Sequence, residues 1–267
     1  MTTINPIITL TTDFGLRDGF VGVMKGVILN IAPHAQIVDI SHDIGPQNVR
    51  EGAFVLSRQS LYFPRNTVHV VVVDPGVGTT RRPIAARIGN HHYVGPDNGV
   101  LTILYEKAEE ENWPLQVVHL DKPQYWLKEV SYIFHGRDIF SPVAAHLAAG
   151  VPLEELGRPI DDAVRLHLPK PALKGNSWHG EVVHIDHFGN VASNIHRDNI
   201  GGEAAVQAAG VRGTRVPDWV KTFGERPAGA LVCLYSSIDF VIISEVNGNA
   251  AARLGAKVGD AFEVEVA

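Results

Sequence analysis

The sequence predicts an α/β protein: an N-terminal, mostly parallel sheet with helices on both faces, followed by a smaller C-terminal β-barrel domain. Three observations predict it. Apolar strand-like runs alternate with helix-period segments from Ile7 to Val73, those runs are apolar at nearly every position, and helical periodicity fades after Leu168-Pro169-Lys170-Pro171. Strands buried on both faces belong to parallel sheets covered by helices, in which ligands bind beyond the carboxyl ends of the strands.

Ile7-Ile8-Thr9-Leu10-Thr11 reads as a buried strand that stops at the turn Asp13-Phe14-Gly15. In Phe20 to Ile31 the spacing of Val23, Val27 and Ile31 predicts a helix, closed by Pro33. Gln36–Ile40 is the next strand, Val49–Tyr62 carries Ala53, Leu56, Ser57 and Leu61 at helical spacing, and Val68–Val73 is a third strand. Further strands are expected at Ile84–Ile88, His91–Val94 and Val117–Leu120, and a helix starts with Ser141 as N-cap and Pro142 as first residue, stopping at Gly150. Beyond about residue 172, short β-rich stretches (Gly180–Asp186, Val191–Ile195, Ala230–Tyr235, Phe240–Val246, Ala261–Val266) are punctuated by Gly and Asn. The expected domains are therefore 1–172 and 173–267.

Composition narrows the function. The chain has 267 residues, 45% hydrophobic and 19% charged, enough for one large domain or two modest ones and unlike a disordered or coiled-coil chain. Its 23 Lys and Arg against 29 Asp and Glu give a net charge of −6 with no basic run, so no nucleic-acid partner is expected. Cys233 is the single cysteine, which excludes an intramolecular disulfide and any multi-thiolate metal site and fits a reducing, cytoplasmic location. Apolar runs are far too short to span a bilayer, and the polar Met1–Pro6 start does not read as a signal peptide.

Two aspartates sit at expected strand ends. Asp13 lies in Thr11-Thr12-Asp13-Phe14-Gly15; the Asp-Phe-Gly tripeptide is not a kinase motif here, because the glycine-rich loop and catalytic loop that should precede it have no room. Asp13 is either a carboxylate gripping a ligand hydroxyl or amine, or a turn residue bonded to local backbone. Asp74-Pro75-Gly76-Val77-Gly78 follows a fully apolar strand, and its glycines allow close approach of backbone to ligand. Arg81 keeps Asp74 ionised or orients a nucleophile, or else forms a weak surface pair. His135, in Phe134-His135-Gly136-Arg137-Asp138 ahead of a helix, is a candidate base or a plain hydrogen-bonding histidine. His184-Ile185-Asp186-His187 raises a metal hydrolase, but no His-Glu-x-x-His accompanies it, and no Gly-x-Gly-x-x-Gly follows the first strand. Asn247-Gly248-Asn249-Ala250-Ala251 is a turn or a backbone cradle for a flat polar ring.

Taken together, Thr11–Gly15, Asp74–Gly78 with Arg81, His135–Asp138, Asp186-His187-Phe188-Gly189-Asn190 and Asn247–Ala251 resemble, in order, the motifs of the S-adenosyl-L-methionine (SAM) hydroxide adenosyltransferases, relatives of the fluorinases and chlorinases. The resemblance implies hydrolysis of SAM to adenosine and L-methionine by attack of water or hydroxide on the ribose C5′, with Asp74, Arg81 and His135 as the catalytic trio. It also implies that Asp13 holds the ribose hydroxyls, Asp186 the methionine ammonium, and Ser237 the methionine carboxylate. Asn190 and the Asn249-Ala250 backbone would hold the adenine, with Phe223 stacked on it. It implies a homotrimer with sites between subunits, SAM as substrate rather than cofactor, and no metal. The halogenases resemble the chain less: they carry uncharged groups around the halide where this chain has Asp74-Pro75-Gly76-Val77, and their arginine beside the serine is missing at Ile238. A SAM-binding sensor without turnover and a halogenase are the alternatives.

Overall fold

The computed structural model describes residues 5–201 and 206–267. The chain divides into two compact units between Leu166 and His167. The expected boundary at 172 falls inside the second unit, at the first residue of strand Ala172–Lys174.

In the first unit, β1 (Ile7–Thr12), α1 (Phe20–Ile31), β2 (Gln36–Ser41), α2 (Val49–Gln59) and β3 (Val68–Val72) follow in the expected order. They continue into β4 (Pro83–Ile88), β5 (His91–Pro96), α3 (Thr102–Glu110), β6 (Leu115–His119), α4 (Ser141–Ala148) and β7 (Arg158–Ile160). The seven strands form one sheet in the order β2-β1-β3-β5-β4-β6-β7. The pairs β1/β2, β1/β3 and β3/β5 are parallel and the β4 and β7 pairings antiparallel, so five of the seven strands share one direction. Ile8, Leu10, Val70 and Val72 pack with Met24, Ile28 and Val143 on one face; Val71, Ile84 and Tyr93 pack with Leu56, Leu104 and Tyr105 on the other. Each buried strand residue of this size contributes about 1.5–3 kcal/mol, which is why continuous apolar runs sit in the middle of such a sheet.

Two local expectations are corrected. Helix α1 forms, but its buried face is Val21, Met24 and Ile28, while Val23 is 45% exposed. The Val23-Val27-Ile31 stripe is neighbouring in register, and the two stripes share the same period. Ser141 is not an N-cap either. The helix is already running when it arrives, because Gly136–Phe140 form a π-helical turn, and the Ser141 hydroxyl donates to the Gly136 carbonyl at 2.7 Å.

The second unit holds β8 (Ala172–Lys174), β9 (Ser177–Ile185), β10 (Val191–His196), α5 (Arg197–Ile200), β11 (Val206–Val211), β12 (Thr214–Val216), β13 (Leu231–Tyr235), β14 (Phe240–Glu245), α6 (Ala250–Leu254) and β15 (Ala261–Val266). The strands run β12-β11-β15-β9-β10-β14-β13, every neighbouring pair antiparallel. The open ends meet: after β12 the chain turns alongside β13, where Cys233 N–H donates to Asp218 O and Val220 N–H to Cys233 O. That contact makes a nearly closed barrel filled by Val182, Val191, Ile195, Val211, Ile243, Phe262 and Val264. Cys233 is buried there, and burial pushes its thiol up to about 11, so it is a packing residue.

Candidate active site

Asp13 and Asp74 leave the carboxyl ends of β1 and β3, which are hydrogen-bonded neighbours. Sheet pairing therefore brings together two residues far apart in sequence. After β3 the chain must bend sharply, and Gly78, at φ +74°, makes the bend close: a Cβ there would lie 2.1 Å from the Tyr132 carbonyl oxygen. The loop carrying Asp74 and Arg81 is thereby pressed against the loop that leads to His135.

These loops build a three-residue chain. Arg81 Nε donates to Asp74 Oδ1 at 3.1 Å, Arg81 Nη2 donates to Asp74 Oδ2, and Nη2 also lies 3.1 Å from His135 Nδ1. The Arg81 and Asp74 side chains are only 6% and 4% exposed. This is a buried two-point fork, not the weak surface pair. Arginine only donates, so Nδ1 of His135 accepts, which leaves the imidazole neutral with its proton on Nε2. Burial and the Arg81 charge together hold the His135 pKa below its ordinary value. Burial pushes the Asp74 carboxyl up, and the pull of Arg81 does not cancel it. Arg81 Nη1 is buried and has no hydrogen-bond partner among the described residues. Arginine is thus the middle member of the chain, and Asp74 and His135 are joined through it.

Asp13, partly buried beyond Thr12, accepts the Gln47 N–H at 2.7 Å through Oδ2, which leaves Oδ1 open among the described residues. Gln47 has φ +62°, an uncommon conformation for a side-chain-bearing residue, held by that bond.

The remaining candidates lie in the second unit. Asp186 closes the β9–β10 turn: Oδ1 accepts the N–H groups of Phe188 and Asn190, and Oδ2 accepts Asn190 Nδ2 at 2.7 Å. Asn249 caps α6 by accepting the Ala252 N–H at 2.7 Å, and the Ala251 N–H donates to Gly189 O. A Cβ on Gly189 would lie 2.1 Å from Asn249 Oδ1, so the two turns interlock and bring Asp186, Asn190, Asn249 and Ala250 together. Ser237 stands apart from them. It is exposed on the β13–β14 turn, where the neighbouring Ser236 hydroxyl makes the turn's bonds. Register pairs Val191 with Ile243 and His196 with Phe240, which puts that turn at the far end of the hairpin from Asp186, roughly 10 Å or more away at ~3.3 Å per residue. Asp186 and Ser237 of one chain therefore do not meet on one amino-acid group. Phe223 is 43% exposed on a short 3₁₀ turn. His184 and His187 do not assemble into a metal centre: among the described residues no three His, Cys, Asp or Glu side chains gather as ligands.

Residues 8–157 match the SAM hydroxide adenosyltransferase N-terminal domain, and residues 180–263 match its C-terminal domain. This chain belongs to that family. It is 38% identical over 265 residues to a protein of Salinispora arenicola named (R)-S-adenosyl-L-methionine hydrolase, covering 97% of both chains. A Thermus thermophilus protein of the same name is also 38% identical, with 93% of this chain and 95% of the relative covered. A fluorinase of Nocardia brasiliensis is 31% identical over the full length of both. Among solved structures, an uncharacterized conserved protein from Thermotoga maritima superimposes with a TM-score of 0.88 at 39% identity, over 97% of this chain and 99% of that one.

The sequence missed two groups of this site. Asp138, wholly buried, accepts the N–H and hydroxyl of Ser131, both at 2.8 Å, and so fixes the loop just before His135. His42 and Asp39 brace the turn that bears Asp13; their only sequence signal is a spacing of three at a strand end. Phe188, quoted within the Asp186–Asn190 motif but given no role there, is a further aromatic ring, 72% exposed on that turn.

Proposed function

We propose that this chain hydrolyses S-adenosyl-L-methionine, in the (R) form named for its hydrolase relatives, to adenosine and L-methionine. The observation that carries the reading is the buried Arg81 guanidinium, forked onto Asp74 and touching His135, with Nη1 unpaired among the described residues. A buried N–H without a partner costs about 1–3 kcal/mol, which a bound oxygen recovers. Arg81 Nη1 holds the attacking water and favours its anionic form. Asp74, made more basic by burial, takes the proton through a lone pair that Arg81 leaves unused. His135 is not the proton acceptor: its Nδ1 is committed to Arg81, and protonating it would set two cations face to face. It instead keeps the guanidinium from swinging away. The C5′–oxygen bond forms as the C5′–sulfur bond breaks, and the electron pair stays on sulfur. Methionine leaves as a neutral thioether, so the step calls for no general acid, metal or cofactor.

Asp13 Oδ1 takes the ribose hydroxyls, Asn190 and the Asn249-Ala250 backbone take the adenine with Phe223 stacked on it, and Asp186 takes the methionine ammonium. Ser237 takes the carboxylate of that methionine; because Asp186 and Ser237 of one chain lie at opposite ends of their strands, the two contacts come from different subunits. The active form is a homotrimer with sites between subunits. Large apolar side chains exposed on the first unit, Leu16 at 70% and Tyr132 and Ile133 at 82%, support an assembly. A cytoplasmic location is proposed as well; no helix among the described residues is long and apolar enough to cross a membrane.

Titration with SAM in a calorimeter, with chromatography of the same samples, tests the activity. Adenosine and methionine are expected, and binding heat with SAM intact would make the protein a sensor. The fluorinase relatives call for the same run with chloride or fluoride; a 5′-halogenated adenosine would overturn water as the nucleophile.

A further inference from the structure

A chain of polar side chains runs behind Asp13 and has no part in the reaction just described. Lys25 Nζ donates to Asp39 Oδ2 at 2.6 Å, and Asp39 Oδ1 lies 3.0 Å from His42 Nε2. His42 Nδ1 lies 2.9 Å from the Thr12 hydroxyl, which accepts the Phe14 N–H at 3.2 Å. The backbone repeats the connection: Gly15 N–H donates to His42 O at 2.8 Å, and Ile44 N–H to Thr12 O at 3.4 Å. Thr12 is wholly buried and His42 is 4% exposed, so each polar atom here depends on its neighbour. The His42 Nε2 contact with Asp39 is a charge contact that falls short of hydrogen-bond geometry; it turns the Nε2 proton toward Asp39, and Nδ1 then accepts from the Thr12 hydroxyl. Asp13 lies between the two residues this chain holds, Thr12 and Phe14.

We infer that Asp39, His42 and Thr12 are positioning residues for substrate: they fix the turn that aims Asp13 at the ribose diol, so that diol recognition depends on a buried imidazole which never touches the ligand. The inference rests on the proposed role of Asp13. Helix and sheet packing alone place the Cα of Asp13, but a carboxylate that must accept two hydroxyls through one free oxygen needs its turn locked within a fraction of an ångström. The chain from Asp39 to the Phe14 N–H supplies that lock. Burial works to raise the Asp39 carboxyl, yet the Lys25 and His42 contacts outweigh it and hold it ionised below its ordinary value, which keeps the far end anchored.

The test compares adenosine with 2′,3′-dideoxyadenosine, which lacks the hydroxyls Asp13 would hold. The wild-type protein should prefer adenosine by about 10–100-fold, the range expected for hydrogen bonds to a charged group, and Asp13→Ala should abolish the preference. Thr12→Val keeps the shape and removes the hydroxyl; it should cut the preference about tenfold while dideoxyadenosine binds as before. Thr12→Ser should restore it. Asp39→Asn, on a partly exposed side chain and so tolerant of change, should lower the preference in the same direction. If Thr12→Val and Asp39→Asn weaken both nucleosides equally, or neither, the chain is structural only and the inference fails while Asp13 keeps its role. If the wild type binds neither nucleoside, or does not discriminate, the underlying reading of Asp13 fails first.

Discussion

Replacing Arg81 by lysine keeps a positive charge beside Asp74 but removes the fork. Arg81 gives two hydrogen bonds to Asp74 and one to His135, and holds Nη1 in reserve. A lysine ammonium has its donors on one atom, so it can serve Asp74 but cannot also reach His135 and the attacking oxygen. Folding should suffer little, because the buried Asp74 keeps a counter-charge; losing about one charge-assisted hydrogen bond, ~1.5–3 kcal/mol, lowers the melting temperature by several degrees. Turnover should suffer far more. Removing a donor aimed at developing oxygen charge costs about 10²–10³ in kcat, with KM for SAM changed only a few-fold, since Arg81 does not bind the ground-state substrate. Alanine would be less informative, because an abandoned buried carboxylate costs about 3–5 kcal/mol and confounds the rate with unfolding. The assay is adenosine release at saturating SAM, alongside a thermal melt. A lysine variant within tenfold of wild-type kcat, or one impaired only in KM, would refute this role for the arginine.

Further outcomes follow from the packing and the buried titratable groups. Gly78→Ala puts a methyl group 2.1 Å from the Tyr132 oxygen at φ +74°, so it should destabilise by about 1–3 kcal/mol and cut kcat more than tenfold. In Gly76→Ala the new carbon meets Arg81 Cβ at 3.4 Å, and that variant should be nearly normal in melts and turnover. Because burial raises the Asp74 carboxyl and its protonated form cannot accept a proton, kcat should fall on the acid side with a midpoint above the ordinary 3.8; a profile flat down to about pH 4 would contradict Asp74 as acceptor. His69 and His91 are buried with their ring centroids 5.2 Å apart, and burial holds both below the ordinary 6.5. Below that value the unfolded chain takes protons that the folded one refuses, so melting temperature should drop between about pH 7 and pH 5, and His91→Gln should flatten the slope.

The edge strand β2 is largely exposed, whereas the centre of the first unit is legible because β1 and β3 are β-branched, mainly apolar runs buried at nearly every position. The face of α1 was not, since Val21, Met24 and Ile28 and the stripe one step round share the same period and only the packed sheet chooses between them. Helix α3 carries a weak sequence signal, because Thr102–Glu110 lacks a side-chain cap and ends in acidic residues. The π turn at Gly136–Phe140 has no periodic signature either. Asp74 and Arg81 could be suspected from proximity in sequence, but not that arginine would sit between aspartate and histidine. That order comes from two loops meeting at Gly78 and Tyr132, a tertiary contact. Ser237 rests on the family resemblance alone, and strand register sets its turn at the far end of β10 and β14 from Asp186.

The most direct measurement of the central claim is mass spectrometry of the products formed from SAM in ¹⁸O-enriched water. The account predicts one solvent oxygen on the adenosine 5′ carbon and none in methionine. Unlabelled adenosine, or label appearing in the amino acid, would contradict attack of water at C5′.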